Sequence, residues 1–141
     1  MLKRINEFVE LKAYVDIFNK WGHSGFKEPI NPFFWWNHEK PGTVDDMVHA
    51  YIHDGLLVVM ELEAEKRVKN MLVFALCPQQ NTLKKILDIC RKYDTVVYNS
   101  EFRDRYRNIN KKLDGNSWQS NGRHYYSAAG RDAWVKLYGQ H

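Results

Sequence analysis

The chain has 141 residues, a hydrophobic content of 44%, an aromatic content of 14% and a formal net charge of +4. This length indicates a single domain covering residues 1–141, and the apolar content excludes a disordered chain. No apolar run approaches the roughly 20 residues that would span a membrane, and charges interrupt the N-terminal segment, unlike the apolar core of a secretory signal. We therefore expect a cytoplasmic protein with no membrane partner.

Cysteine usage and charge distribution narrow the expected chemistry further. Cys77 and Cys90 fall inside predicted elements, which favours buried, reduced thiols over a disulfide or a metal site. Residues 101–141 carry 8 basic and 4 acidic side chains, whereas residues 1–100 carry 13 of each. This bias is compatible with a nucleic acid or a phosphate-bearing ligand, and equally with a solvated helix face.

The first predicted elements are a short apolar segment, either a strand or a lead-in, and then a helix. Asn6 is a candidate N-cap, and Gly22 and Gly25 indicate the end of this helix. Its apolar stripe recurs at helical spacing, at Phe8, Leu11, Val15 and Phe18. This stripe predicts the face that packs on the rest of the domain.

A long connection rich in proline and glycine follows, and it contains four consecutive aromatic residues, Phe33, Phe34, Trp35 and Trp36. Long loops in compact domains are often functional. Trp35 and Trp36 are therefore candidate contacts to a substrate or partner, since aromatic side chains line pockets and stack on bases. The alternative is that the quartet packs under the sheet as part of the core.

Residues 48–62 predict a β-hairpin around Asp54-Gly55, and residues 68–76 predict a third strand that is buried on both faces. On the first strand His49, Tyr51 and His53 share one face. That face either lines a groove, which makes Tyr51 a candidate partner contact, or is exposed. The two histidines would lie about 13 Å apart on a strand, so they cannot bind one metal ion and no metal site is predicted.

The second half of the chain predicts a helix, a strand and another helix. Asn81 or Thr82 caps the first helix, whose stripe is Leu83, Ile86, Leu87 and Cys90; the strand covers 95–99 and the second helix 102–113. A hairpin around Asn121-Gly122 and a short terminal helix or arm over 131–140 complete the chain. The predicted fold class is α+β (α/β), with a mixed, mostly antiparallel central sheet flanked by helices.

This order of elements resembles the GNAT superfamily, the acetyl-CoA-dependent N-acetyltransferases. In that family the loop after the fourth strand holds the cofactor pyrophosphate at a helix N-terminus. The resemblance implies that acetyl-CoA or another acyl-CoA contacts this loop, with Lys84 and Lys85 supplying positive charge. The residues concerned are Leu76, Cys77, Gln79, Gln80, Asn81 and Thr82. The loop has no glycine, and Pro78 removes one N–H donor.

The resemblance also implies catalytic residues. Asn99 and Tyr106 have the spacing of the family's asparagine after the fifth strand and the tyrosine that protonates the leaving thiolate. Tyr106 also lies on an apolar helix stripe, so a packing role is the alternative. A transferase needs a base for its amine acceptor, and Glu61 and Glu63 share a strand face from which either could serve. Of these two, Glu61 is the one we select.

Two functional hypotheses follow. The first is a divergent GNAT-like acyltransferase that moves an acyl group from a coenzyme A thioester to an amine. The second is a non-catalytic GNAT-like protein that binds nucleic acid or a protein partner. For that second role Arg103 and Arg107, which are i, i+4 neighbours extended by Lys111, form a basic row suited to phosphates or to an acidic protein.

Overall fold

A computed structural model describes residues 2–22, 28–77, 82–93, 118–120 and 123–139. It contains three α-helices, one 3₁₀ helix and six strands within these ranges. In chain order they are β1 (Lys3–Ile5), α1 (Phe8–Trp21), the 3₁₀ helix (Pro32–Trp35), β2 (Val48–His53), β3 (Leu56–Ala64), β4 (Arg67–Ala75), α2 (Thr82–Cys90), β5 (Trp118–Ser120), β6 (Arg123–Tyr125) and α3 (Ala128–Tyr138).

The main sheet has four strands in the order β1-β2-β3-β4, and every neighbouring pair is antiparallel. The predicted hairpin is confirmed, with Asp54 and Gly55 between β2 and β3. Gly55 has a φ of +70°, and a Cβ there would lie 2.3 Å from the Cβ of Cys77. The turn therefore needs glycine for its backbone conformation and also for the close passage of the chain that leaves β4.

Helix α1 covers one face of this sheet. Its predicted stripe is confirmed, because all four of its residues are buried. On the sheet side the same core includes Ala50, Leu57, Val59 and Phe74. The helix starts at Phe8, so its N-cap is Glu7 and not the predicted Asn6, and the Glu7 side chain makes no capping hydrogen bond. Gly22 ends the helix as predicted.

Helix α2 covers the opposite face, where it packs on the even-numbered residues of β3. Val58 and Met60 form a second core with Ile86, Ile89 and Cys90. The predicted helix is thus confirmed, but its buried face is rotated towards Ile89, and Leu87 is only half-buried. Four apolar positions in the sequence indicate which side of a helix is buried, but they do not decide between neighbouring residues at the edge of that side. The contacts with β3 decide that Ile89 is buried and that Leu87 is only half-buried.

The C-terminal residues form the predicted hairpin, β5 with β6, and then α3. Helix α3 begins earlier than the sequence suggests because the Ser127 side chain caps it by accepting from the Gly130 N–H. Trp134 lies between the rings of Tyr14 and Phe18. Its indole N–H also donates to the buried carboxylate of Asp54, so α3 is joined to the β2–β3 turn as well as to α1.

Helices on both faces of an antiparallel sheet make this a mixed α+β fold, as predicted. Residues 95–99 and 102–113, where a strand and a helix were predicted, lie outside the described residues. Among the helices that the structure describes, none has the length and apolar character needed to cross a bilayer.

Candidate functional site

The aromatic connection and strand β3 meet at a hydrogen bond between Trp35 and Glu61. The Trp35 indole, 3% exposed, donates from Nε1 to Oε1 of Glu61 at 2.9 Å. The carboxylate is half-buried on the α1 face of the sheet. Two residues predicted independently, one as an aromatic contact and one as a base, therefore lie side by side although 26 positions separate them.

The local sequence explains why Trp35 is held in this position. Asn31 accepts from the Phe33 N–H through its side chain, and Pro32 at the first position fixes the backbone of the 3₁₀ helix. The carbonyl of Trp35 accepts from the Asp45 N–H at 2.7 Å. These contacts fix the backbone before Trp35 and at Trp35 itself, and they direct the indole N–H at β3.

The other aromatic residues of this segment divide between packing and exposure. Trp36 is half-buried, with its ring edge-on to that of Phe8 at a centroid distance of 4.9 Å. Phe33 also contacts Phe8, at 5.4 Å, but remains 55% exposed, and Phe34 is 84% exposed. Packing in the core is therefore confirmed for Trp35, whereas the two phenylalanines face solvent and contact with a substrate or partner stays a prediction.

Glu63, the other carboxylate considered as a base, lies in a different environment. It is exposed, and Oε1 is 3.9 Å from the Arg67 Nε in a surface ion pair. A surface pair of this kind contributes little, and it leaves the carboxylate hydrated. Of the two glutamates, Glu61 is the one whose orientation a buried donor fixes.

The connection from β4 to α2 lies at the other end of the sheet. The N–H groups of Leu76 and Cys77 both donate to the carbonyl of Gly55, at 2.8 and 3.2 Å, and the Leu76 carbonyl accepts from the Tyr126 N–H at 3.1 Å. Both side chains are buried, as is that of Thr82 at the start of α2. Gln79, Gln80 and Asn81, the other predicted cofactor contacts, lie outside the described residues.

Strand register gives the separation between this connection and the Trp35–Glu61 pair. Leu56 pairs with Ala75 at the connection end, whereas Glu61 pairs with Asn70. Five residues of strand correspond to about 17 Å. The structure thus keeps Glu61 and the start of the β4–α2 connection, Leu76 and Cys77, at opposite ends of the sheet.

Tyr51 lies on the other face of the sheet, in a buried polar cluster. Its hydroxyl is 2.5 Å from the Tyr93 hydroxyl, which is in turn 2.8 Å from Nδ1 of His49. Tyr93, three residues beyond the end of α2, therefore covers Tyr51, while His49 and His53 on the same face of β2 are half-buried. Tyr51 and Trp35, both predicted as contact residues, are on opposite sides of the sheet.

The sequence reasoning missed Tyr93. The signal was present, because Tyr93 continues the spacing of Ile86 and Cys90 at i, i+4 and i+7 along the buried face of α2. Burial and the hydrogen bond from Tyr51 raise the pKa of Tyr93. Burial also lowers the pKa of His49, helped by the nearby Arg4 guanidinium and opposed by a hydrogen bond to the Asp46 backbone.

Four predicted site residues, Asn99, Arg103, Tyr106 and Arg107, lie outside the described residues and stay predictions. No group of three or more metal-ligating side chains occurs within the part of the chain that the structure describes. No family model matches the chain, and the curated proteins and solved structures hold no significant match to it.

Proposed function

We propose that the protein is a GNAT-like acyltransferase that moves an acyl group from a coenzyme A thioester to an amine. The observation that carries this proposal is the half-buried Glu61 carboxylate held by the Trp35 indole. An amine acceptor is an ammonium ion at neutral pH and must lose a proton before it attacks a thioester. A carboxylate that is held in one orientation beside an aromatic segment is suited to accept that proton.

The arrangement of the elements also supports the proposal. The strand order β1-β2-β3-β4, with α1 on one face and α2 on the other, agrees with the first half of the family's element order. By analogy with that family, the two ends of the sheet have different roles: the β4–α2 connection binds the cofactor phosphates, and the Glu61 end binds the acceptor.

The connection fits an acyl-CoA at its phosphate end. The first turn of α2 carries Lys84 and Lys85, and N–H groups at a helix N-terminus favour anions. The backbone groups of Leu76 and Cys77 do not add to this site because they already bond within the protein. When bound, the coenzyme would supply the activated acyl group.

Glu61 then acts as the base in this proposal. Its carboxylate takes one proton from the ammonium group of the acceptor, and the neutral amine attacks the acyl carbon. The nitrogen then loses a second proton to solvent as the bond between the acyl carbon and sulfur breaks. The departing thiolate would take a proton from an acid, for which Tyr106 remains the predicted residue. Trp35 positions the carboxylate without taking part in proton transfer.

The test compares Glu61→Gln with the matched control Glu63→Gln on the same strand. A glutamine carbonyl still accepts from the Trp35 indole, so the fold and any acetyl-CoA binding should persist while the base is lost. We expect turnover, measured as free thiol released from acetyl-CoA over a panel of primary amines, to fall by about 10²–10⁴-fold for Glu61→Gln only. Equal turnover in the two variants would contradict the role of Glu61.

A second candidate, a non-catalytic binding protein of the same fold, is favoured by one specific observation. The C-terminal segment bonds to the end of β4 through Tyr126 and Leu76, and so occupies backbone at the connection where a ligand would otherwise pair. Thermal unfolding with and without acetyl-CoA separates the candidates. A ligand at 100 times its Kd adds about 2.7 kcal/mol to stability, so no shift at millimolar acetyl-CoA favours the second candidate.

A further inference from the structure

A polar pocket lies where the β1–α1 junction meets the segment that leads into β2, and we call it the β1–β2 pocket. Its volume is about 230 Å³, which is below the roughly 300–1,000 Å³ of pockets that hold drug-sized ligands. It therefore has room for a small molecule only. Its lining carries charges of both signs and two buried valines: Arg4 and Lys40, Asp45 and Asp46, and Val44 and Val48.

Backbone hydrogen bonds fix the two walls of this pocket. The Val44 N–H donates to the Asn6 carbonyl at 2.9 Å, and the Asp45 N–H donates to the Trp35 carbonyl at 2.7 Å. The wall that carries the aspartates is thus held against the residue that follows β1, the strand that carries Arg4. The charges of the pocket are therefore set in place before a ligand binds, which lowers the entropic cost of binding.

Asp45 is the carboxylate best placed to hold a ligand ammonium group. It is half-buried, and its Oδ1 accepts from the Met47 N–H at 2.8 Å, which fixes its orientation. A carboxylate has two acceptor oxygens, so this bond leaves the second oxygen for a ligand. Asp46 is exposed and adds another negative charge to the same side of the pocket. This side is suited to a cation.

Arg4 and Lys40 supply the opposite charge. Both are exposed, and within the described residues neither they nor the two aspartates of the pocket form an ion pair. The opposite charges thus line one pocket but do not neutralise each other by direct contact. A guanidinium group matches a carboxylate through two parallel hydrogen bonds. The Arg4 side of the pocket is therefore suited to a carboxylate.

The pocket is distinct from the site proposed for acyl transfer. Arg4 is the cross-strand partner of Tyr51, so both lie on the α2 face of the sheet. Glu61 pairs with Val48, which belongs to the core on the α1 face. Strand β2 also separates the strands of Arg4 and Glu61. A ligand at Arg4 therefore does not take the place of the amine acceptor.

We propose that the β1–β2 pocket binds an amino acid as a zwitterion, with the ligand carboxylate on Arg4 and the ligand ammonium on Asp45. A phosphate or another simple anion would meet the two aspartates, and a simple amine would meet Arg4 and Lys40. Like charges in a recognition site disfavour such ligands. A zwitterion satisfies both sides at once, and this binding does not depend on acyl transfer.

The test is an NMR titration of the full chain with glycine, β-alanine and γ-aminobutyrate, whose two charges are progressively further apart. The N-acetyl form and the amide form of each ligand are the matched controls, since the first lacks the ammonium and the second lacks the carboxylate. We expect at least one zwitterion to bind, and both of its single-charge forms to bind about tenfold more weakly. Equal affinity for the N-acetyl form would assign the pocket to anions and overturn the proposal. The absence of binding at tens of millimolar of all three zwitterions would overturn it too.

Two variants test the residues of the pocket. Arg4→Gln and Asp45→Asn should each weaken the zwitterion by about tenfold. The fold should persist, because Arg4 forms no ion pair within the described residues and an asparagine still accepts from the Met47 N–H. The controls Arg67→Gln and Asp16→Asn change exposed residues outside the pocket and should leave the affinity unchanged. Full affinity in either pocket variant would contradict the assignment.

His49 reports independently on where the ligand carboxylate binds. Burial and the nearby Arg4 guanidinium lower the pKa of His49. A carboxylate bound at Arg4 offsets that positive charge, so the pKa of His49 should rise when the zwitterion is saturating. The imidazole signals followed by NMR against pH measure this change, and His49→Gln identifies the signal. An unchanged pKa at saturation would show that the carboxylate does not bind at Arg4.

Discussion

The contact between Asp54 and Trp134 provides the most direct test of the tertiary structure. Asp54 is 7% exposed and Trp134 is 1% exposed, and the carboxylate accepts from the indole N–H at 2.9 Å and from the Tyr125 hydroxyl at 3.3 Å. These residues are 80 and 71 positions away from Asp54 in the chain. Their hydrogen bonds therefore join the C-terminal helix to the first hairpin.

We expect Trp134→Phe to lower the free energy of unfolding by about 1.5–3 kcal/mol, because a buried hydrogen bond to a charged group is lost. The phenyl ring is also smaller than the indole and packs less well against α1, which lowers the free energy of unfolding further. For a chain of this length the hydrogen bond alone corresponds to a fall in Tm of about 6–12 °C. Trp36→Phe is the matched control, since its half-buried indole donates to no carboxylate within the described residues. Urea denaturation at neutral pH measures both variants.

A double-mutant cycle separates the hydrogen bond from packing. Asp54→Ala, Trp134→Phe and the double variant should give a coupling free energy of about 1–3 kcal/mol, because each single change removes the hydrogen bond that the two side chains share. Packing losses at Trp134 occur in both arms of the cycle and cancel. A coupling below about 0.5 kcal/mol would show that the two groups do not interact in solution, and the docking of α3 on the β2–β3 turn would have to be revised.

Two further predictions follow from other contacts. Because the pKa of His49 is lowered in the folded state, its protonation favours unfolding. Stability should therefore fall as the pH drops below about 6.5, the ordinary histidine value, and His49→Gln should flatten the Tm curve between pH 7.5 and 5; an unchanged slope would refute this. Gly55→Ala should cost more than the control Gly42→Ala. Both glycines have positive φ, but only at Gly55 does a Cβ meet Cys77, whereas at Gly42 nothing lies within 4 Å. Each change carries backbone strain of about 1–2 kcal/mol, and equal losses of unfolding free energy would exclude the clash.

Patterns within single elements were the part of the fold that the sequence predicted well. The spacing of Phe8, Leu11, Val15 and Phe18 gave the buried face of α1, and Asp54-Gly55 gave the hairpin turn. Local signals succeed here because helix and strand periodicities are properties of the backbone itself. Boundaries were less accurate, as at Asn6, because backbone hydrogen bonds to a distant segment decide where the helix begins: the Phe8 N–H donates to the Gly42 carbonyl, and the Asn6 carbonyl accepts from the Val44 N–H.

The candidate site shows where sequence reasoning stops. Glu61 and Trp35 were each selected by residue type, but no pattern in the sequence relates them, because the contact requires the aromatic segment to pack across β3. Tyr51 was grouped with Trp35 as a contact residue, yet the sheet separates the two. Two residues that are predicted for the same role therefore lie close together only where the tertiary packing places them so.

The sequence by itself determined α1, α2, the β2–β3 hairpin with its register and the mixed α+β class, since each follows from neighbours a few residues apart. Only the tertiary structure decided that Glu61 is oriented by an indole, that Tyr93 completes a buried polar cluster and that Asp54 anchors α3. Each of these contacts joins residues at least 26 positions apart. Such pairs form when burial removes competing water and fixes one partner for each polar group, and local sequence does not encode that choice.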